Sequence, residues 1–110
     1  DGKVLHRETV NFDSELPAYG TTSGMTVKGD SVVTSPAGMW LEGLDLLFSR
    51  IDKDLLAKVR AISASAQQHG SVYWKRTGEE SLRALDPSKS LKESILGALL
   101  FEDCPIWADS

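Results

Sequence analysis

Polar side chains that suit hydrogen bonding to a small molecule gather in one short segment of this 110-residue sequence. Gln67, Gln68 and His69 follow the small residues 63–66, and Gly70 comes directly after them. Carboxamides donate and accept hydrogen bonds, and a neutral imidazole does both on its two nitrogens. Such groups suit a sugar or polyol, and a glycine lets the backbone turn sharply beside a ligand. Spacing alone favours a simpler interpretation, a hairpin turn whose polar groups satisfy the backbone.

Other combinations of reactive residue types are weaker candidates. His6, His69 and Cys104 are metal-ligating types, but their spacing matches no metal motif, and Cys104 is more simply a small buried residue. Ser65, His69 and Asp109 contain the residue types of a hydrolase triad, but no G-x-S-x-G segment surrounds the serine. The sequence therefore assigns no catalytic and no metal-binding residue.

The composition bounds the class of protein. Hydrophobic residues make up 41% of the chain and charged residues 25%, with a net charge of -4, which is typical of one soluble globular domain. No basic patch points to nucleic acid, and no apolar run is long enough to cross a membrane. The single cysteine excludes an internal disulfide and fits a reducing compartment, so we expect a cytoplasmic protein.

Strands are predicted where β-branched, aromatic or small residues cluster. The small side chains of 59–66 suit a central strand pressed between helices. Lys28-Gly29-Asp30 separates two apolar runs and predicts a small hairpin, whereas 13–24 is expected to be irregular. The predicted strands are 3–12, 25–27, 31–34, 59–66, 71–76 and 105–107. The segment that contains His69 would then be a hairpin tip at the end of a sheet.

Helical periodicity is clearest from Pro36 to Ile51, where apolar residues recur every three or four positions. Ser35 is predicted to cap this helix, with the proline at its first position. Residues 52–57 either extend it or form a second turn. Shorter helices are predicted for 79–85 and after Ser90, where Ser-Leu-Lys-Glu matches a capping box. The mixture of elements fits α/β or α+β, and the predicted fold class is α/β, a mixed sheet with packed helices.

Several segments occur in an order that is typical of one protein family. They are 8–13 (ETVNFD), 15–17 (ELP), 39–45 (MWLEGLD), 67–75 (QQHGSVYWK) and 103–110 (DCPIWADS). The fourth is the most specific. Together they resemble the FGGY family of carbohydrate kinases, and within it the xylulose kinases of eukaryotes.

This resemblance implies a role for the whole chain. Residues 1–110 would be part of the actin-like, ribonuclease-H-like N-terminal domain that binds the sugar, with the first strand and the ATP-binding C-terminal domain absent. The intact enzyme would transfer the γ-phosphate of ATP, with Mg²⁺, to D-xylulose and form D-xylulose 5-phosphate. The catalytic base and the ATP site would lie outside this chain, so the fragment alone is expected to be inactive.

The resemblance also implies four sugar-binding residues. His69 would contact the sugar, and Gln68 would line the pocket beside it. Trp107 would pack against the sugar carbons, and Asp109 would orient that wall. The expected partners are D-xylulose and the remainder of the same chain. Two alternatives stay open, a non-catalytic sugar-binding or interaction module of the same fold and a kinase for another ketose or polyol.

Overall fold

A small antiparallel sheet forms one side of the molecule. The structure, a computed structural model, describes residues 2–109, so the last residue of the 103–110 segment lies outside it. The strands are β1 (Thr26–Lys28), β2 (Val32–Pro36) and β3 (Asp103–Pro105), in the order β1-β2-β3. β1 and β2 are the predicted hairpin, which is confirmed. The predicted last strand lies two residues earlier than expected, and the sheet is antiparallel rather than mixed.

Five helices are described, and the second, which is the longest, contacts β2 and the fifth helix. They are α1 (Phe12–Glu15), α2 (Ala37–Ser49), α3 (Lys53–Leu56), α4 (Gly78–Arg83) and α5 (Leu91–Ile95), with 3₁₀ turns at Pro17–Tyr19 and Leu96–Ala98. The predicted cap of α2 is wrong, because Pro36 itself occupies the N-cap position and Ser35 belongs to β2. The Ser35 hydroxyl donates instead to the carbonyl of Gly24, at 2.7 Å.

The shorter helices agree with the sequence patterns. Ser90 and Glu93 form the predicted capping box before α5: the Ser90 Oγ accepts from the Glu93 amide at 3.1 Å, and the Glu93 carboxylate accepts from the Ser90 amide at 2.9 Å. α3 is the second turn predicted after the long helix, and the Asp52 carboxylate caps it. A short α1 and a 3₁₀ turn occupy part of 13–24, which was expected to be irregular.

Three predicted strands are wrong. Residues 3–11 and 59–66 are neither helix nor strand, and 71–76 contains only a single bridge, between Trp74 and Leu99. A strand exists only where a neighbour accepts and donates its ladder hydrogen bonds, and no described residue does so for the first two segments. Ile62, in the predicted central strand, is 80% exposed. The segment with His69 is therefore a turn in a long irregular connection rather than a hairpin tip.

The core lies between β2, β3, α2 and α5. One cluster of buried side chains there consists of Ala37, Ile95, Leu99 and Cys104, and Trp40, Leu41, Leu91 and Leu96 pack against it. Cys104 is fully buried, as predicted, and the expected core position of Trp40 is confirmed. Between residues 2 and 109, no helix has both the length and the apolar character needed to cross a bilayer.

Candidate functional site

Two adjoining cavities lie where α1, α2, the segment 65–72 and the end of β3 meet. The larger has a volume of 560 Å³ and the smaller 240 Å³. Both are lined by Phe12, Trp40, Gln67 and Ile106. Apolar walls with a few polar groups are typical of small-molecule sites, and the larger cavity has a volume in their usual range.

The Phe12 ring occupies space that two glycines leave free by lacking a Cβ atom. A Cβ placed on Gly43, in α2, would lie only 2.7 Å from the Phe12 Cε1 atom. A Cβ on Gly24 would lie 3.3 Å from its Cδ2 atom. Any larger residue at Gly43 would therefore displace the ring that both cavities share.

Trp107 and Gln67 meet in the smaller cavity. The Trp107 side chain is 57% exposed, and it lines this cavity together with Gln67. An indole face packs well on the C–H surface of a sugar ring or chain, and a carboxamide can hydrogen-bond its hydroxyls. The structure thus brings the predicted aromatic wall together with an amide. That amide is Gln67, which the sequence interpretation passed over in favour of Gln68.

His69 and Gln68 lie outside the linings of both cavities, between the lining residues Gln67 and Gly70. Both side chains are exposed, and His69 has a left-handed backbone with φ of 59°. Such a conformation is uncommon for a residue with a Cβ atom. The imidazole makes no hydrogen bond to any of residues 2–109, so its donor and acceptor are available to a ligand. Sugar contact by His69 and Gln68 stays a prediction.

Asp109 makes two hydrogen bonds that anchor the segment carrying Trp107. Its Oδ1 atom accepts a hydrogen bond from the Val33 amide of β2 at 2.8 Å, and its own amide donates to the Ile106 carbonyl at 2.9 Å. These bonds tie the segment that carries Trp107 to the sheet. Its direct binding to sugar stays a prediction.

A third cavity, of 500 Å³, lies beside a cluster of charged groups. The Tyr19 hydroxyl donates to the Glu42 carboxylate at 2.6 Å, and Lys92 Nζ donates to the same oxygen at 2.9 Å. The Tyr19 hydrogen bond, followed by Lys92, lowers the pKa of Glu42, while burial raises the pKa of Tyr19. Lys92 offsets the charge of Glu42, and the three side chains join the first 3₁₀ turn, α2 and α5, so we assign them a structural role.

The remaining features of the described residues are weaker candidates for a functional site. Another cavity, of 610 Å³, has an apolar lining apart from His6, and such a lining does not suit a hydroxyl-rich ligand. Within residues 2–109, no three His, Cys, Asp or Glu side chains are grouped as a metal site would need. The pair of cavities at Phe12 and Trp40 is therefore the best candidate site.

Known proteins carry sequences similar to this one, although no protein-family model matches it. Xylulose kinase 2 of Arabidopsis thaliana is 43% identical over 97% of this chain, and xylulose kinase of Mus musculus is 39% identical over 97%. Xylulose kinase of Saccharomyces cerevisiae is 43% identical over 99%. The chain spans only 20%, 20% and 19% of these relatives. Almost all of this chain is thus homologous to a segment of about one fifth of the xylulose kinases.

Proposed function

We propose that this chain is part of a carbohydrate kinase that phosphorylates D-xylulose to D-xylulose 5-phosphate with MgATP. The observation that carries the proposal is the 39–43% identity, over nearly the whole chain, to proteins named xylulose kinase in a plant, a mammal and a yeast. We place the two adjoining cavities in the sugar pocket. Residues 1–110 would belong to an actin-like, ribonuclease-H-like N-terminal domain, which is compatible with the observed α/β mixture.

The site chemistry fits an open-chain sugar. Trp107 supplies an apolar face for the carbon chain, and Gln67 supplies a donor and an acceptor in the same cavity. In the proposal, His69 and Gln68 approach the sugar from the exposed turn between Gln67 and Gly70. Hydroxyl groups in an apolar cavity must be hydrogen-bonded, because an unpaired buried hydroxyl is costly. The polar residues of this turn would meet that need.

This chain would contribute positioning rather than group transfer. Phosphoryl transfer depends on aligning the acceptor hydroxyl with the γ-phosphate, and bound Mg²⁺ supplies neutralisation of the phosphate charge. We assign ATP, Mg²⁺ and the general base to other parts of a longer protein. Residues of this chain would hold and orient the sugar. A cytoplasmic location is part of the proposal and agrees with Cys104 being a buried free thiol.

The test is ADP formation by the full-length protein in the presence of D-xylulose, D-ribulose, glycerol or no sugar. We expect turnover that depends on D-xylulose and is at least tenfold lower with the other acceptors. Turnover with glycerol or D-ribulose instead would assign another substrate. Sugar binding without turnover would favour a non-catalytic module, and no binding would overturn the proposal. The 1–110 fragment run in parallel is expected to give no ADP above buffer.

A further inference from the structure

Asp13 makes more hydrogen bonds than a solvent-facing carboxylate at the start of a helix needs. Its Oδ1 atom accepts from the Thr21 hydroxyl at 2.7 Å and from the Gly24 amide at 3.0 Å. Its Oδ2 atom accepts from the Ser23 amide at 2.6 Å. These bonds, that of Gly24 first, lower the pKa of Asp13. One carboxylate therefore holds three donors of a neighbouring loop, on Thr21, Ser23 and Gly24.

The loop that Asp13 holds is a tight turn with an unusual backbone. Thr22 and Met25 exchange two backbone hydrogen bonds, of 2.9 and 3.0 Å. Between them, Ser23 and Gly24 both have left-handed backbones, with φ of 53° and 71°. Glycine adopts this region freely, but serine does so at a cost that the surroundings must offset. The backbone amides of Ser23 and Gly24 are the two that donate hydrogen bonds to the Asp13 carboxylate.

The same loop forms part of the candidate sugar site. Ser23, Gly24 and Met25 line the smaller cavity, which they share with Gln67 and Trp107. Asp13 itself lines neither of the two adjoining cavities. Its effect on a ligand there would thus pass through the loop and not through direct contact.

We propose that Asp13 is a positioning residue for the sugar, because it fixes the 21–24 loop as a wall of the cavity that Trp107 and Gln67 share. This inference rests on the proposed function and extends it to a residue without sugar contact. Loss of the carboxylate would let Ser23 relax from its left-handed conformation and change the width of the cavity. The expected consequence is weaker sugar binding, with ATP binding unchanged.

The experiment compares variants of the full-length protein. Asp13→Asn keeps the size of the side chain but replaces one acceptor by a donor, which would face a loop amide or hydroxyl. We expect the Kd for D-xylulose, measured by calorimetry, to rise at least tenfold, and the KM for ATP to stay within twofold. Asp13→Glu, which keeps both acceptor oxygens, should recover part of the affinity. Asp30→Asn is the matched control, since Asp30 lies exposed in the turn between β1 and β2.

A milder variant covers the case in which Asp13→Asn does not fold. Thr21→Val removes one of the three donors and should raise the Kd for D-xylulose about threefold. If the folded Asp13→Asn or Thr21→Val protein binds D-xylulose like the Asp30→Asn control, the positioning role is wrong while the proposed function stands. A wild-type protein that binds no D-xylulose overturns both.

Discussion

Gly43→Ala is the substitution whose effect follows most directly from the geometry of the site. The added methyl group would lie 2.7 Å from the Phe12 Cε1 atom, in a buried part of α2. Carbon atoms in contact need roughly 3.5 Å, so the Phe12 ring must move by about 0.8 Å or more. Because the ring lines both cavities, that movement changes the shape of the candidate sugar pocket.

Two opposing terms set the effect of Gly43→Ala on stability. Overpacking a well-filled site costs about 1–3 kcal/mol. Replacing a glycine inside a helix by alanine raises the free energy of unfolding by about 1 kcal/mol. The net change is a destabilisation of about 0–2 kcal/mol, small enough for the protein to stay folded. Sugar affinity should fall more clearly, by about fivefold or ~1 kcal/mol, because the displaced ring enters the binding space.

Calorimetric titration of the full-length Gly43→Ala protein with D-xylulose measures this effect, and a thermal melt checks the fold. Gly97→Ala is the matched control, since a Cβ at Gly97 meets no heavy atom within 4 Å. We expect the control to bind D-xylulose like the wild type. Equal affinities for Gly43→Ala and Gly97→Ala would refute the assignment of Phe12 to the wall of the sugar pocket.

Three further predictions concern stability and reactivity. Hydrogen bonds hold the pKa of Asp13 and of Glu42 below their ordinary values. The ionised carboxylates therefore stabilise the fold fully when the pH is above their ordinary pKa values, and this stabilisation is lost as the pH falls. The melting temperature should drop below about pH 4, and a melting temperature that does not change with pH would contradict this. Ser90→Ala removes the cap of α5 and should lower the free energy of unfolding by about 1 kcal/mol, measured by urea titration; an unchanged midpoint would speak against the cap. Cys104 is fully buried, and burial raises its pKa, so a disulfide reagent should label it only after unfolding; rapid labelling of the native protein would be inconsistent with the structure.

Local sequence patterns correctly predicted the elements that are stabilised by interactions between residues close in sequence. The helix α2 follows from its apolar periodicity, and the capping box at Ser90 follows from two residues three positions apart. The hairpin of β1 and β2 needed only a turn between two apolar runs. In each case, the interactions that form the element lie within the element itself or across one short turn.

The segments that were predicted wrongly depend on distant partners. Residues 3–11 and 59–66 have β-favouring composition, but pairing hydrogen bonds decide whether a strand forms, and no described neighbour supplies them. At the site, Gln67 and Gln68 have the same side chain, so only the turn geometry determines which one lines the cavity. The left-handed backbone of His69 and the three bonds of Asp13 likewise had no sequence signal that spacing could detect.

The central claim, that the exposed turn at His69 binds the sugar, is tested most directly by one pair of variants in the full-length protein. His69→Ala removes the predicted contact, and His6→Ala removes another exposed imidazole, one that lines the apolar cavity. The account predicts that His69→Ala weakens D-xylulose binding about tenfold, equivalent to roughly one lost hydrogen bond of 1.4 kcal/mol, and that His6→Ala leaves it unchanged. Equal D-xylulose affinities for His69→Ala, His6→Ala and the wild type would contradict it.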